Sequence, residues 1–174
     1  MEVKNIFNYK NERYAMLREP MRGVIGAYQD GNRWLDTTQE YLYIEQGLVN
    51  CARVFHEQAH KFLQEMDGFV DMLHENHLMG EYPTTEELDW QEELVDVNSA
   101  FELVVRIFDH IEDALTAFRD VANANRHLAM GLTAEDLIVA NSQKRTKFLE
   151  MWNMWNNNVK ASSFDNWCKK YLED

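Results

Sequence analysis

Apolar residues recur along two long stretches of this chain in steps of three and four. The first stripe is Tyr41, Ile44, Leu48, Cys51, Phe55, Ala59, Phe62, Met66, Phe69 and Leu73. The second is Leu94, Val97, Phe101, Val104, Phe108, Ile111, Leu115, Phe118 and Ala122. Such steps keep side chains on one face of an α-helix, whereas a half-buried strand alternates by two. No stretch alternates that way, and no internal repeat is present. A chain of 174 residues is long enough to bury a core and short enough to be one domain, 1–174. The expected fold is therefore all-α: an elongated antiparallel bundle of three long helices with short N- and C-terminal helices.

Local punctuation sets the expected boundaries. Pro20 suits a first helical turn, and the segment carrying Met21, Val24, Ile25 and Tyr28 is expected to stop at Asp30-Gly31-Asn32. Thr37-Thr38-Gln39-Glu40 has the pattern of a Thr-x-x-Glu capping box. It would open a helix over 38–79, continuous unless it breaks near Gly47. Gly80-Glu81-Tyr82-Pro83 ends that helix, and Thr84-x-x-Glu87 has the same box pattern ahead of the second stripe. After a frayed Asn123-Ala124-Asn125 and a turn at Met130-Gly131, Thr133-x-x-Asp136 would cap a helix over 134–159 that carries Phe148, Met151, Trp152, Trp155 and Val159. Ser162-x-x-Asp165 would open a last short helix with Phe164, Trp167 and Tyr171.

Composition narrows the function classes. The longest apolar run is four residues, far short of the ~20 that span a bilayer. The N-terminal stretch has no apolar core of the signal-peptide kind, so a cytoplasmic setting is expected. Cys51 and Cys168 form no zinc or redox spacing and are expected as reduced thiols. The net charge of −13 repels nucleic acid and anionic membranes and attracts basic surfaces. Direct nucleic-acid binding is not expected. No phosphate loop, nucleophile elbow or Cys-His nucleophile pattern is present, which moves weight from catalysis toward binding.

One motif points to metal. His56-Glu57-Gln58-Ala59-His60 matches the HExxH of zinc peptidases, whose chemistry also needs a third ligand and a substrate-binding strand. An all-helical chain offers no such strand. The same stretch contains Glu57-x-x-His60, half of a di-iron motif. The ordinary alternative is that His56, His60, His74 and His77 occupy one flank of a long helix and bond to neighbouring carboxylates.

From His56 onward the sequence resembles the Dps-type mini-ferritins. His56-Glu57 is followed by Asp71-x-x-x-Glu75, by a Gly-Pro turn at Gly80-Glu81-Tyr82-Pro83, and by an aromatic helix ending at 147–155. The resemblance covers residues 56–155. It implies a ferritin-like fold, an oligomer, and iron bound by His56, His60, Asp71 and Glu75, with Glu40 or Glu45 in reserve. That family also supplies a histidine from its first helix, and residues 1–55 contain none.

The charge is concentrated. Residues 81–120 hold twelve carboxylates against Arg106 and Arg119. Glu86, Asp89, Glu93 and Asp96 fall at helical spacing, and Glu102, Asp109, Asp113 and Asp120 are expected to continue them as a ribbon beside the apolar seam. A solvated face is the plain explanation of such a run. The sharper expectation is a docking surface of Glu86, Asp89, Trp90, Glu93, Asp96, Glu102, Asp109 and Asp113 for a basic protein, including one that binds nucleic acid, with Trp90 as anchor. The leading expectation is thus an acidic, non-catalytic interaction protein without a cofactor: an inhibitor, nucleic-acid mimic or adaptor. The alternative is a divergent ferritin-like protein taking iron, or zinc at the same histidines.

Overall fold

The computed structural model describes residues 12–157 and 160–172. Its helices are α1 (Glu12–Ala15), α2 (Arg18–Ile44), α3 (Val49–Glu75), α4 (Trp90–Glu93), α5 (Val97–Ala124), α6 (Leu128–Asn156) and α7 (Ala161–Cys168), followed by a 3-10 turn at Lys169–Tyr171. No strand occurs among the described residues. Four helices of 27 to 29 residues form the body, each about 40 Å long. The expected all-α class is observed, with four long helices in place of three.

The extra helix comes from two signals that act otherwise than their local pattern suggests. Asp30-Gly31-Asn32 does not end a helix, and α2 runs through it. Gly31 is buried where α2 crosses α5 and α3, and a Cβ there would lie 3.0 Å from Ile107 Cγ2 and 3.3 Å from Phe62. The glycine serves close approach, not a turn. Thr37 and Thr38 cap nothing; their hydroxyls donate to the carbonyls of Arg33 and Trp34, one turn back in α2. The chain breaks instead at Gly47, whose φ of +66° is the left-handed conformation that glycine adopts freely. A continuous 38–79 helix is not formed.

Short connections at 45–48 and 125–127 make α2–α3 and α5–α6 antiparallel hairpins. The connection from 76 to 96 is long and runs back along α2. Arg18 Nε donates to Glu81 at 2.7 Å, Pro83 packs on Gly26, and Trp34 Nε1 donates to the Glu86 carbonyl at 3.1 Å. This crossover returns the chain to the end where α3 began, so α5 runs parallel to α3. The phenylalanines record that register. Phe55–Phe101, Phe62–Phe108 and Phe69–Phe118 pair with ring centroids 5.6, 5.3 and 4.9 Å apart. Phe148 of α6 meets both Phe55 and Phe108. The result is a four-helix bundle with one long crossover and an aromatic spine.

Several expected caps act elsewhere. Thr84-x-x-Glu87 lies in the crossover. The true capping box is Asp96 with Ser99: Asp96 Oδ1 accepts the Ser99 N–H at 2.7 Å, and Ser99 Oγ accepts the Asp96 N–H at 3.0 Å. The α6 helix starts at Leu128, so Met130-Gly131 sits in its first turn, and the Thr133 hydroxyl donates to the Ala129 carbonyl. Val159 lies outside the described residues. Ser162-x-x-Asp165 does not cap α7. Asp165 reaches across to the start of α3, accepting the N–H groups of Asn50 and Cys51 at 2.8 and 2.9 Å and the Asn50 side-chain amide at 2.8 Å. The residue before α3 is Leu48, which has no capping oxygen, so the cap comes from the far end of the chain.

Losing an N-cap costs about 1–2 kcal/mol, so Asp165→Ala should lower the melting temperature by several degrees, and Asp165→Asn by less. Thermal unfolding followed by circular dichroism measures both. Cys51 and Cys168 are buried and unbridged, and burial pushes the Cys51 thiol well above its ordinary value. No helix among the described residues is long and apolar enough to cross a membrane.

Candidate functional site

The crossover covers α2 and α5 incompletely and leaves a cleft of about 550 Å³. Asp30 from α2, Glu86, Glu87 and Asp89 from the crossover, and Glu93 from α4 line it. Its one arginine, Arg106 of α5, is already ion-paired with Glu93. His110 is the other basic group present. Asp30 is buried, with 8% of its surface exposed, and accepts the Glu86 N–H at 3.1 Å. Burial pushes its carboxyl above the ordinary range, against the opposing pull of that hydrogen bond and of His110.

Asp30 therefore binds a proton more readily in the folded chain than in the unfolded one. The resulting cost is absent below the unfolded value and grows as pH rises through the raised one. An asparagine at this position would keep the acceptor and remove the charge. Asp30→Asn should thus melt higher than wild type at pH 7 and nearly level with it at pH 3.5. Thermal melts at the two pH values decide this.

A second cleft of about 400 Å³ adjoins the first, between Arg33 and Asp36 of α2 and Glu86-Glu87 of the crossover. Beyond it, Trp90 is 44% exposed. With Tyr41 and Ile44 it forms an apolar pocket of about 260 Å³, edged by Glu40 and Glu45. That pocket sits at the C-terminal end of α2, where the helix dipole is negative and no basic residue occupies the last turn.

The eight expected docking residues divide into groups. Glu86, Asp89 and Glu93 share the large cleft, and Trp90 is beside it. Asp96 is committed to capping α5. Asp109 pairs with Arg145 of α6 at 2.8 Å, and Asp120, in the ribbon but outside the eight, pairs with Arg119. Glu102 and Asp113 carry no ion pair among the described residues. Glu102, Asp109, Asp113 and Asp120 are all exposed, so the ribbon points outward from α5 and does not flank the seam. Asp30, Tyr41 and Glu45 were not among the expected residues. Their signal was the phase of Met21, Tyr28, Gly31, Leu35, Thr38 and Leu42, which continues an apolar face straight through 30–32.

The expected metal ligands split as well. His56 and His60 meet, with Nε2 to Nε2 at 3.1 Å, and His56 Nδ1 lies 3.2 Å from Asp36 Oδ1. Asp71 lies 11 residues beyond His60 on the same helix, about 16 Å along the axis, with Glu75 one turn farther. These four do not converge within one chain. No group of three or more His, Cys, Asp or Glu side chains among the described residues is arranged to hold a metal ion. The interior between the helices is occupied largely by phenylalanines, and the buried polar side chains Asp30, Thr38, Gln58, His127 and Asn141 include a single carboxylate, where a carboxylate-bridged centre needs several. Such an interior does not fit a carboxylate-bridged iron centre. No protein-family model matches the chain, and no curated protein matches it.

Proposed function

We propose that this protein is a non-catalytic docking module whose acidic crossover face receives a basic segment of another protein, acting as inhibitor, nucleic-acid mimic or adaptor. The observation that carries this reading is the cleft in which five carboxylates face one arginine already paired with Glu93. Carboxylates gathered around a concavity, one of them partly desolvated, favour an incoming lysine or arginine more than the same charges spread on a convex face. The Trp90 pocket offers an apolar anchor beside the charge, the arrangement that gives an interface its affinity centre. Two unbridged thiols suit a cytoplasmic setting.

The test must spare residues with structural tasks, so Asp96 and Glu93 are left unchanged. Glu86, Glu87, Asp89 and Glu92 are converted together to lysine, and binding of an arginine-rich peptide is followed by tryptophan fluorescence at low and moderate salt. Placing like charges across an interface costs several kcal/mol. Affinity should therefore fall by about 100-fold or more, with helix content unchanged. Equal binding by the reversed variant, or binding insensitive to salt, would end this reading.

A second reading rests on the connectivity. A four-helix bundle with one long crossover is the ferritin-like arrangement, which keeps a divergent iron-oxidising oligomer in view. Aerobic Fe(II) loading with size-exclusion chromatography tests it, and a monomer that takes up no iron would remove it.

A further inference from the structure

We infer that His56 and His60 form a two-nitrogen chelate for a divalent late first-row metal ion, copper(II) or nickel(II), with Asp36 as the carboxylate that positions it. Asp36 also lines the smaller cleft beside Glu86 and Glu87, but neither histidine does, and the inference does not depend on the docking reading.

Hydrogen-bond roles decide the tautomers. An ionised carboxylate only accepts, so His56 must donate its Nδ1–H to Asp36 Oδ1, 3.2 Å away. That leaves a lone pair on His56 Nε2. This nitrogen lies 3.1 Å from His60 Nε2, with the two rings nearly perpendicular at 88°. In the metal-free chain His60 donates its Nε2–H into that lone pair. When an ion enters, the His60 proton moves to Nδ1, both Nε2 lone pairs face the ion, and no net proton is released. A carboxylate behind a ligating imidazole is the usual outer partner of a metal-bound histidine.

The separation also suits a chelate. Two imidazole nitrogens about 2.1 Å from one ion lie about 3.0 Å apart at a right angle and about 3.4 Å apart at the tetrahedral angle. The observed 3.1 Å is close to both, so two cis positions of one ion can be reached with little movement of either ring, and the affinity order of such nitrogen sites favours copper(II) and nickel(II). Both histidines project from α3 one turn apart on its exposed side, so the helix holds their spacing. With His56 and Asp36 about half exposed at 48% and 45%, the remaining coordination positions are open to water or to a group from outside the chain. The site is therefore open and exchangeable, in contrast to a closed structural one.

Untagged protein is titrated with nickel(II) and copper(II) by calorimetry and by thermal melts. One ion per chain is expected, with a melting temperature that rises with metal concentration. His56→Ala and His60→Ala should each abolish the binding and the shift while melting like wild type in chelator. Asp36→Asn should weaken binding by about 10- to 100-fold. A His74→Ala/His77→Ala variant should bind as wild type. No binding of either ion, or equal binding by the His56→Ala/His60→Ala double variant, overturns the site. Zinc bound more tightly than copper through the same histidines overturns the metal assignment.

Discussion

Phe108→Ala should lower the unfolding free energy by about 3–5 kcal/mol, among the largest losses available to a single truncation in this chain. Phe108 is fully buried and meets Phe62 of α3 and Phe148 of α6 from its place on α5. One ring therefore joins three helices, and no single neighbour can relax to fill the void. Its carbonyl also accepts the buried Asn141 amide at 2.9 Å, so collapse around the cavity would disturb a polar contact that has no water to replace it. For a chain of this size the loss corresponds to roughly 10 °C in melting temperature. Urea unfolding measures it directly. Exposed Met79 truncated to alanine gives the contrast, with an expected change within about 0.5 kcal/mol. A Phe108→Ala loss below about 1 kcal/mol would mean that the rings are not packed as described.

Gly31→Leu should be the second severe substitution, through crowding instead of a void. Even a Cβ at this position would sit 3.0 Å from Ile107, and 3.3 Å from both Ile111 and Phe62. These are branched or aromatic side chains on two facing helices, with no flexible end to swing aside. The outer carbons of leucine would force α2 away from α5, and overpacking of this kind costs about 1–3 kcal/mol or more. Gly31→Ala should behave differently. Alanine gains about 1 kcal/mol of helix propensity over glycine, which offsets much of the squeeze and leaves the variant near wild type. The same urea titration compares the two. A leucine variant as stable as wild type would show that the helices do not approach closely at Gly31.

The pair also marks where sequence was informative. The stripe from Leu94 to Ala122 predicts α5 almost to its ends, because nothing competes with its period and Asn125 stops it. The stripe from Tyr41 to Leu73 misleads. Ile44, Leu48 and Cys51 keep helical spacing across Gly47, since Leu48 stays buried inside the tight turn, and so a hairpin and a continuous helix look alike in the sequence. Asp30-Gly31-Asn32 carries turn formers, but the packing of Gly31 against α5 overrides their local preference. The threonine boxes fail because a threonine hydroxyl within a helix bonds the carbonyl one turn back as readily as it caps a helix start.

At the site, the concentration of acid was visible in the sequence and its division of labour was not. Asp96 as a cap, Asp109 with Arg145, and Glu93 with Arg106 are commitments made by distant residues. Helical spacing cannot reveal them. The histidine pair was visible because four residues make one turn. Its supporting Asp36 comes from another helix and has no sequence signature.

The cap of α3 has a consequence for the order in which the molecule is completed. Asn50 and Asp165 are 115 positions apart, so a growing chain exposes the amides of Asn50 and Cys51 long before their acceptor has been synthesised. The α7 helix carries both the carboxylate and Cys168 to the start of α3. The fold therefore closes like a clasp, with the chain's late residues fastening an early helix.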